Sequence, residues 1–234
     1  MDSNKKIIVA LDTIDTNEAL GLTKLIPNVG AFKLGLEYFC ANGPKGISKI
    51  SETGIKIFLD LKFHDIPNTV AGAIKASLDL EPFMMTVHLS GGYNMLHRTM
   101  EEVKEYCGKK SLKKPLILGV SVLTSIDNND FSSLGIIGKV EDQVIRLAKL
   151  AEHARLDGLV CSAKELKVVK KETGENLILV TPGIRPAGGD VNDQKRIMTP
   201  SQAINDGADF LVIGRPITGV NDPKKALHNI SLEM

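Results

Sequence analysis

Short apolar runs recur along the whole chain, and each ends in polar or glycine-rich sequence. They predict strands at 7–12 (IIVALD), 31–36 (AFKLGL), 56–62 (KIFLDLK), 84–90 (MMTVHLS), 116–123 (LILGVSVL), 158–162 (GLVCS), 177–182 (LILVTP) and 210–214 (FLVIG). Most are continuous rather than alternating, the pattern of parallel strands covered on both faces. Helix-period stretches lie between them, at 16–26, 44–53, 67–79, 92–107, 139–155, 163–173, 199–206 and 222–230. Pro67 followed by Asn68 and Thr69, and Thr199 followed by Pro200, are helix-start chemistry. Gly54, Gly174 and Gly207 sit where helices should end.

Eight strand–helix units within 234 residues predict a closed (β/α)8 TIM barrel, an α/β fold, as a single domain spanning 1–234. An open doubly wound sheet is the alternative, and the lack of a GxGxxG after the first strand weakens it. No linker, charge block or composition break divides the chain. Two connections are overlong, 124–138 and 185–198. In a barrel, both fall at the C-terminal face, where sites are built.

Charge and composition narrow the class. Lys and Arg total 29 against 28 Asp and Glu, a formal net charge of +1, which lacks the basic field of a nucleic-acid binder and gives no membrane-surface signal. Hydrophobic residues make up 43% and aromatics 4% with no Trp, so an aliphatic core is expected. Cys40, Cys107 and Cys161 show no CxxC spacing, which favours a reducing, cytoplasmic setting over a disulfide or zinc framework. The amino-terminal apolar run is too short for a signal-peptide core, and no segment is long enough to span a bilayer.

The informative chemistry lies at strand ends. In Ile57-Phe58-Leu59-Asp60-Leu61-Lys62-Phe63-His64-Asp65-Ile66-Pro67-Asn68-Thr69, strand alternation puts Asp60 and Lys62 on one face, with Leu59 and Leu61 facing the helices. Asp12 ends the first strand and Lys33 the second, so adjacent strands should bring Asp12, Lys33, Asp60 and Lys62 to one mouth. Unlike charges about 4 Å apart attract by about 4 kcal/mol at an effective dielectric near 20. Such a row is either a structural ion pair closing the barrel or an electrostatic and acid site. Asp65 reads as a first-turn acid of the next helix or as a functional group. Gly214-Arg215-Pro216 closes strand eight, where barrels often hold phosphate; a tight turn with a solvated Arg is the alternative. A glycine-rich loop carrying Arg185 and Gln194 is a candidate lid. His88 and His64 are ambiguous, whereas His97, His153 and His228 look solvated. No His pair has convincing metal spacing, and Lys33 and Lys62 would repel a divalent ion, so no metal is expected.

At these residues the chain resembles the orotidine 5′-phosphate decarboxylase family in its bacterial single-domain form, over nearly its full length. The most specific piece is Asp60-Leu61-Lys62-Phe63-His64-Asp65-Ile66-Pro67-Asn68-Thr69, similar to the family's D-x-K-x-x-D signature. Ala10-Leu11-Asp12, Lys33-Leu34-Gly35, Val122-Leu123-Thr124-Ser125, Thr181-Pro182-Gly183-Ile184-Arg185-Pro186, Asp193-Gln194-Lys195-Arg196 and Val212-Ile213-Gly214-Arg215-Pro216 support it, and no functional position departs from the pattern.

The resemblance implies cofactor-free conversion of orotidine 5′-monophosphate to uridine 5′-monophosphate (UMP) and CO₂, the last step of UMP biosynthesis, by a homodimer with shared sites. It implies Lys62 as proton donor to C6, with Asp60 beside the departing carboxylate. Asp65 would enter the partner's site, with Ile66 and Thr69 lining the shared edge. Asp12 and Lys33 would hold the ribose, and Thr124, or neighbouring Ser125, the pyrimidine. Gln194 would bridge base and phosphate, with Arg185, Gly214 and Arg215 on the phosphate side. Metal-dependent sugar-phosphate enzymes on the same barrel share the D-x-K-x-x-D core, but need an acid where this chain has Lys33.

Overall fold

A computed structural model describes residues 3–186 and 198–234. Eight parallel strands close into a barrel in sequence order. They are β1 (Ile7–Ala10), β2 (Ala31–Gly35), β3 (Ile57–Phe63), β4 (Met84–His88), β5 (Leu116–Val120), β6 (Gly158–Val160), β7 (Ile178–Thr181) and β8 (Phe210–Ile213). Closure runs through β1 and β8, with Ile8 opposite Val212. All eight expected strands are present, but most end one to three residues early. Apolar character continues past the last paired residue because the chain there still lies over the barrel: Leu11 and Val122, outside the ladders, remain buried.

Helices α1 (Thr16–Leu25), α2 (Leu36–Ser51), α3 (Pro67–Leu78), α4 (Gly92–Lys110), α5 (Asn128–Ser133), α6 (Val140–His153), α7 (Leu166–Thr173), α8 (Pro200–Asn205), α9 (Arg215–Thr218) and α10 (Pro223–Leu232) surround or cap it. Helix starts follow local chemistry. Thr199 caps α8 reciprocally with Gln202 ahead of Pro200, and Asp15 accepts from the Asn17 N–H at the start of α1. Gly174 ends α7 with φ +63°, a left-handed conformation glycine adopts without a Cβ penalty.

Three differences from the sequence pattern have physical causes. Helix α2 begins at Leu36 rather than near 44, because Gly43 (φ +60°) and Pro44 break it into two pieces and hide its first turns from a periodicity test. The 124–138 connection contains α5, held by a capping box between Asp127 and Asp130. The short α9 starts directly at the end of β8, with the Gly214 carbonyl accepting from the Ile217 and Thr218 N–H groups.

Strand alternation sorts the apolar residues into two layers. Val9, Phe32, Leu34, Leu59, Leu61, Met85 and Val87 pack outward against the helices. Ile8, Ala31, Phe58, Met84, Leu118, Val180 and Val212 point inward and plug the barrel. The expectation for Leu59 and Leu61 holds, and Asp60 and Lys62 therefore point into the barrel mouth. No described helix is long and apolar enough to cross a membrane.

Candidate active site

Two residues beyond the plug, the inward positions change from apolar to charged. Lys33 Nζ lies 3.4 Å from Asp12 Oδ1 and 3.7 Å from Asp60 Oδ2. Lys62 Nζ bonds the same Asp60 oxygen at 2.9 Å. The four charges thus form a continuous alternating row from Asp12, two residues past the end of β1, across β2 and β3. Asp12 is its exposed end, with 61% of the side chain accessible, whereas the Asp60 side chain retains 11%.

Burial by itself pushes the Asp60 carboxyl up, the largest single effect on it. The charges of Lys33 and Lys62, together with hydrogen bonds from Lys62 and Thr86, outweigh that and hold it below the ordinary carboxylate value. Asp60 is therefore a fixed anion between two ammonium groups, an arrangement that offsets the cost of burying any one of them.

Lys62 has an unusual backbone. Its φ is +50°, and around it four residue steps on β3 oppose two on β4, from the pair Leu59–Met85 to the pair Phe63–Val87. This bulge carries β3 one residue past its expected end and turns Lys62 toward the cavity. The fully buried Thr86 on β4 spans the irregularity: its hydroxyl accepts from the Lys62 N–H at 2.9 Å and donates to Asp60 Oδ1 at 3.0 Å. At the next inward position of β4, His88 stacks on His64 with ring centroids 5.1 Å apart, and its Nδ1 accepts from the Ser90 N–H. Burial, then His64 and Lys62, hold His88 below the ordinary histidine value.

A cavity of about 300 Å³ opens beside the row. Lys33, Asp60 and Lys62 form one wall; Val120, Val122, Val160, Cys161, Pro182 and Val212 form an apolar one. Thr124 and Ser125 both line it, so the choice between them stays open. Its volume and its apolar walls with a few convergent charges suit a small planar ligand.

The remaining expected residues lie around this centre. Gly214 sits beside the far end of the row: a Cβ built on it would stand 3.5 Å from Asp12 Oδ2. Arg215, exposed, opens α9 next to it. Arg185 is 7% exposed, and its guanidinium donates to the Ile184 carbonyl. The 185–198 connection starts and ends at a clamp, since the Arg185 N–H donates to the Met198 carbonyl and the Met198 N–H to the Gly183 carbonyl. Gln194, with Asp193, Lys195 and Arg196, lies outside the described residues.

Asp65, Ile66 and Thr69 do not join the row within one protomer. Asp65 is exposed and accepts from the Ile66 N–H at 2.6 Å; Ile66 itself is 66% exposed. The side chain of Asp65 does not cap α3, whose N-cap is Ile66. His97 and His153, expected as solvated, are exposed but flank the Tyr93 ring at 5.3 and 4.8 Å.

Thr86 is the polar contact the sequence pattern missed, because a threonine inside a strand has no distinguishing signal. The apolar wall was missed for the same reason: Val120, Val160 and Val212 read as ordinary strand residues.

The orotidine 5′-phosphate decarboxylase / HUMPS family model matches residues 5–230. An orotidine 5′-phosphate decarboxylase of Rhodospirillum rubrum is 46% identical over 230 residues, covering 97% of this chain and 93% of that one. That of Sphingopyxis alaskensis is 49% identical over 225 residues, 96% of each. The crystal structure of orotidine 5′-phosphate decarboxylase from Lactobacillus acidophilus superposes with a TM-score of 0.84 at 36% identity, covering 97% of both chains. With the barrel, the charge row and these matches together, the chain belongs to the orotidine 5′-phosphate decarboxylase / HUMPS family of enzymes.

Proposed function

We propose that this chain decarboxylates orotidine 5′-monophosphate to UMP and CO₂ without a cofactor, in the cytoplasm, with Lys62 as the proton donor. The observation that carries the reading is the Asp12–Lys33–Asp60–Lys62 row, of which Lys33, Asp60 and Lys62 wall a base-sized cavity. Loss of CO₂ from C6 leaves an electron pair in an sp² orbital orthogonal to the ring π system, so resonance cannot spread it. Fixed positive charge at C6 must then stabilise it. The Lys62 ammonium, already held by Asp60, supplies that charge without reorganising and then transfers a proton to C6. Asp60 stands where the substrate carboxylate departs.

Lys33 and Asp12 hold the ribose hydroxyls at the polar end of the row. Thr124, with Ser125 beside it, meets the pyrimidine edge. Gly214, Arg215 and Arg185 receive the phosphate together with Gln194. Phosphate binding remote from C6 supplies binding energy that orients the base.

Asp65, Ile66 and Thr69 serve the neighbouring subunit of a homodimer. The support is that all three are exposed on the isolated protomer, only a few residues beyond Lys62. In the dimer Asp65 becomes the second carboxylate beside the partner's ammonium.

The HUMPS side of the family is the alternative, and Lys33 argues against it: an ammonium between Asp12 and Asp60 disfavours a divalent ion there.

The test is to add orotidine 5′-monophosphate to purified, chelator-treated protein and follow the pyrimidine absorbance. Turnover that survives EDTA is expected, and turnover that requires a divalent ion overturns the reading. Mixing Asp65→Ala with Lys62→Ala protomers should restore about a quarter of the wild-type sites, because each heterodimer keeps one intact site. No recovery after verified subunit exchange defeats the shared-site arrangement.

A further inference from the structure

The charge row is built on a backbone that does not hold itself. Lys62 sits in the left-handed region at φ +50°, a conformation costing a β-capable residue roughly 1 kcal/mol or more. The bulge around it breaks the regular pairing of β3 with β4. Such a conformation persists only where surrounding groups over-determine it. Asp60 has a matching problem: a buried carboxylate with one oxygen on Lys62 and near Lys33 needs a partner for the other, or it will rotate.

We infer that Thr86 is the positioning residue of this site: its hydroxyl sets both the backbone of Lys62 and the orientation of the Asp60 carboxylate. This rests on the decarboxylase reading above and adds a residue to it. The geometry is reciprocal. Thr86 Oγ1 accepts from the Lys62 N–H at 2.9 Å and donates its one proton to Asp60 Oδ1 at 3.0 Å. A hydroxyl has a single proton, so the acceptance from Lys62 directs that proton to the carboxylate. Asp60 Oδ2 is thereby left for Lys62 Nζ at 2.9 Å.

One side chain thus closes a loop from the Lys62 amide through Thr86 and Asp60 to the Lys62 ammonium. The ammonium is located from both ends of its own residue. Thr86 is fully buried, and Met84 below it belongs to the plug, so the rigid part of the barrel anchors the loop. Thr86 does not line the cavity, and its effect on substrate is transmitted through Asp60 and Lys62.

The groups facing Asp60 are Lys33 from β2, Lys62 from β3 and Thr86 from β4, with Asp12 beyond Lys33 and His88 on the next inward position of β4. The hydroxyl is the neutral member of that set. Its removal leaves every formal charge in place and changes only their placement and the carboxylate's hydrogen bonding.

The test is a comparison of Thr86→Val, which keeps the shape and loses the hydroxyl, with Thr86→Ser, which does the reverse. Val is expected to lower kcat about tenfold to a hundredfold with little change in KM, and Ser to stay close to wild type. In Val the acid limb of the kcat profile should also move to higher pH, since a donor to the charged form of Asp60 is gone. A change confined to packing would lower stability without moving that limb.

Equal kcat and an unmoved acid limb in Val overturn the role, as does a Ser variant as impaired as Val. If Val does not fold, Thr86→Ala replaces it with the same expected ordering. Asp60 titration by carboxyl ¹³C NMR in wild type and variant reads the hydrogen bond without turnover. Wild-type protein that fails to decarboxylate orotidine 5′-monophosphate defeats the functional reading, whereas active wild type with an equally active Val variant defeats only Thr86.

Discussion

The lower and upper halves of the barrel interior are built from the same strands, two residues apart, and obey opposite rules. Below, Ile8, Ala31, Phe58, Met84, Leu118 and Val180 are at most 2% exposed and pack together as one apolar cluster. Above, Lys33, Asp60, Lys62, Thr86 and His88 occupy the next inward positions on β2, β3 and β4. The plug stabilises through removed apolar area, which needs no particular geometry beyond fit. The mouth must match every charge with a partner, and it carries the left-handed Lys62, the β3 bulge and the stacked histidines. Departures from regular strand structure collect where the charges are, while the plug beneath supplies the rigidity that tolerates them.

The sharpest way to break the contrast is Lys62→Ala. On the proposed role of Lys62, turnover should fall about a thousandfold or more, since the ammonium held by Asp60 is removed, while UMP binding survives. A steady-state assay at near wild-type rate would show that the mouth is merely structural.

Met84→Ala probes the other half. Met84 is fully buried in the plug, so stability should drop by about 2–5 kcal/mol in chemical denaturation, with turnover per folded molecule unchanged. A selective loss of kcat would show that plug and mouth are not separable.

Arg215→Ala should weaken UMP about tenfold to a hundredfold and uridine hardly at all, measured by calorimetry. Equal losses for both ligands would remove Arg215 from the phosphate side.

The smallest effect concerns pH. His88 titrates below the ordinary histidine value in the folded chain, mainly because it is buried and then because of His64 and Lys62. The unfolded chain therefore binds more protons once pH falls below about 6.5, and stability drops through that window. Asp60 acts lower, its stabilising contribution being lost as pH falls through its own depressed value. His88→Asn should flatten the decline between pH 7.5 and 5.5 in urea titrations, and an unchanged slope would place the effect elsewhere.

The contrast also explains what was readable beforehand. All eight strands were legible because parallel strands covered on both faces are almost wholly apolar, and the row was legible because Asp60 and Lys62 interrupt such a run at the period of a strand. Helix α5 and the first turns of α2 were not, since six residues and a Gly43–Pro44 break leave no period to detect.

The residues alone determined the barrel, its order and the four charges at its mouth, because alternation and burial act on each strand separately. Thr86 and the Lys62 bulge were decided only in three dimensions. A hydroxyl on β4 acquires meaning from the two β3 groups opposite it, and those lie 24 and 26 residues away in the chain. Pairing across strands is a property of the closed sheet, and no local pattern of apolar and polar residues encodes it.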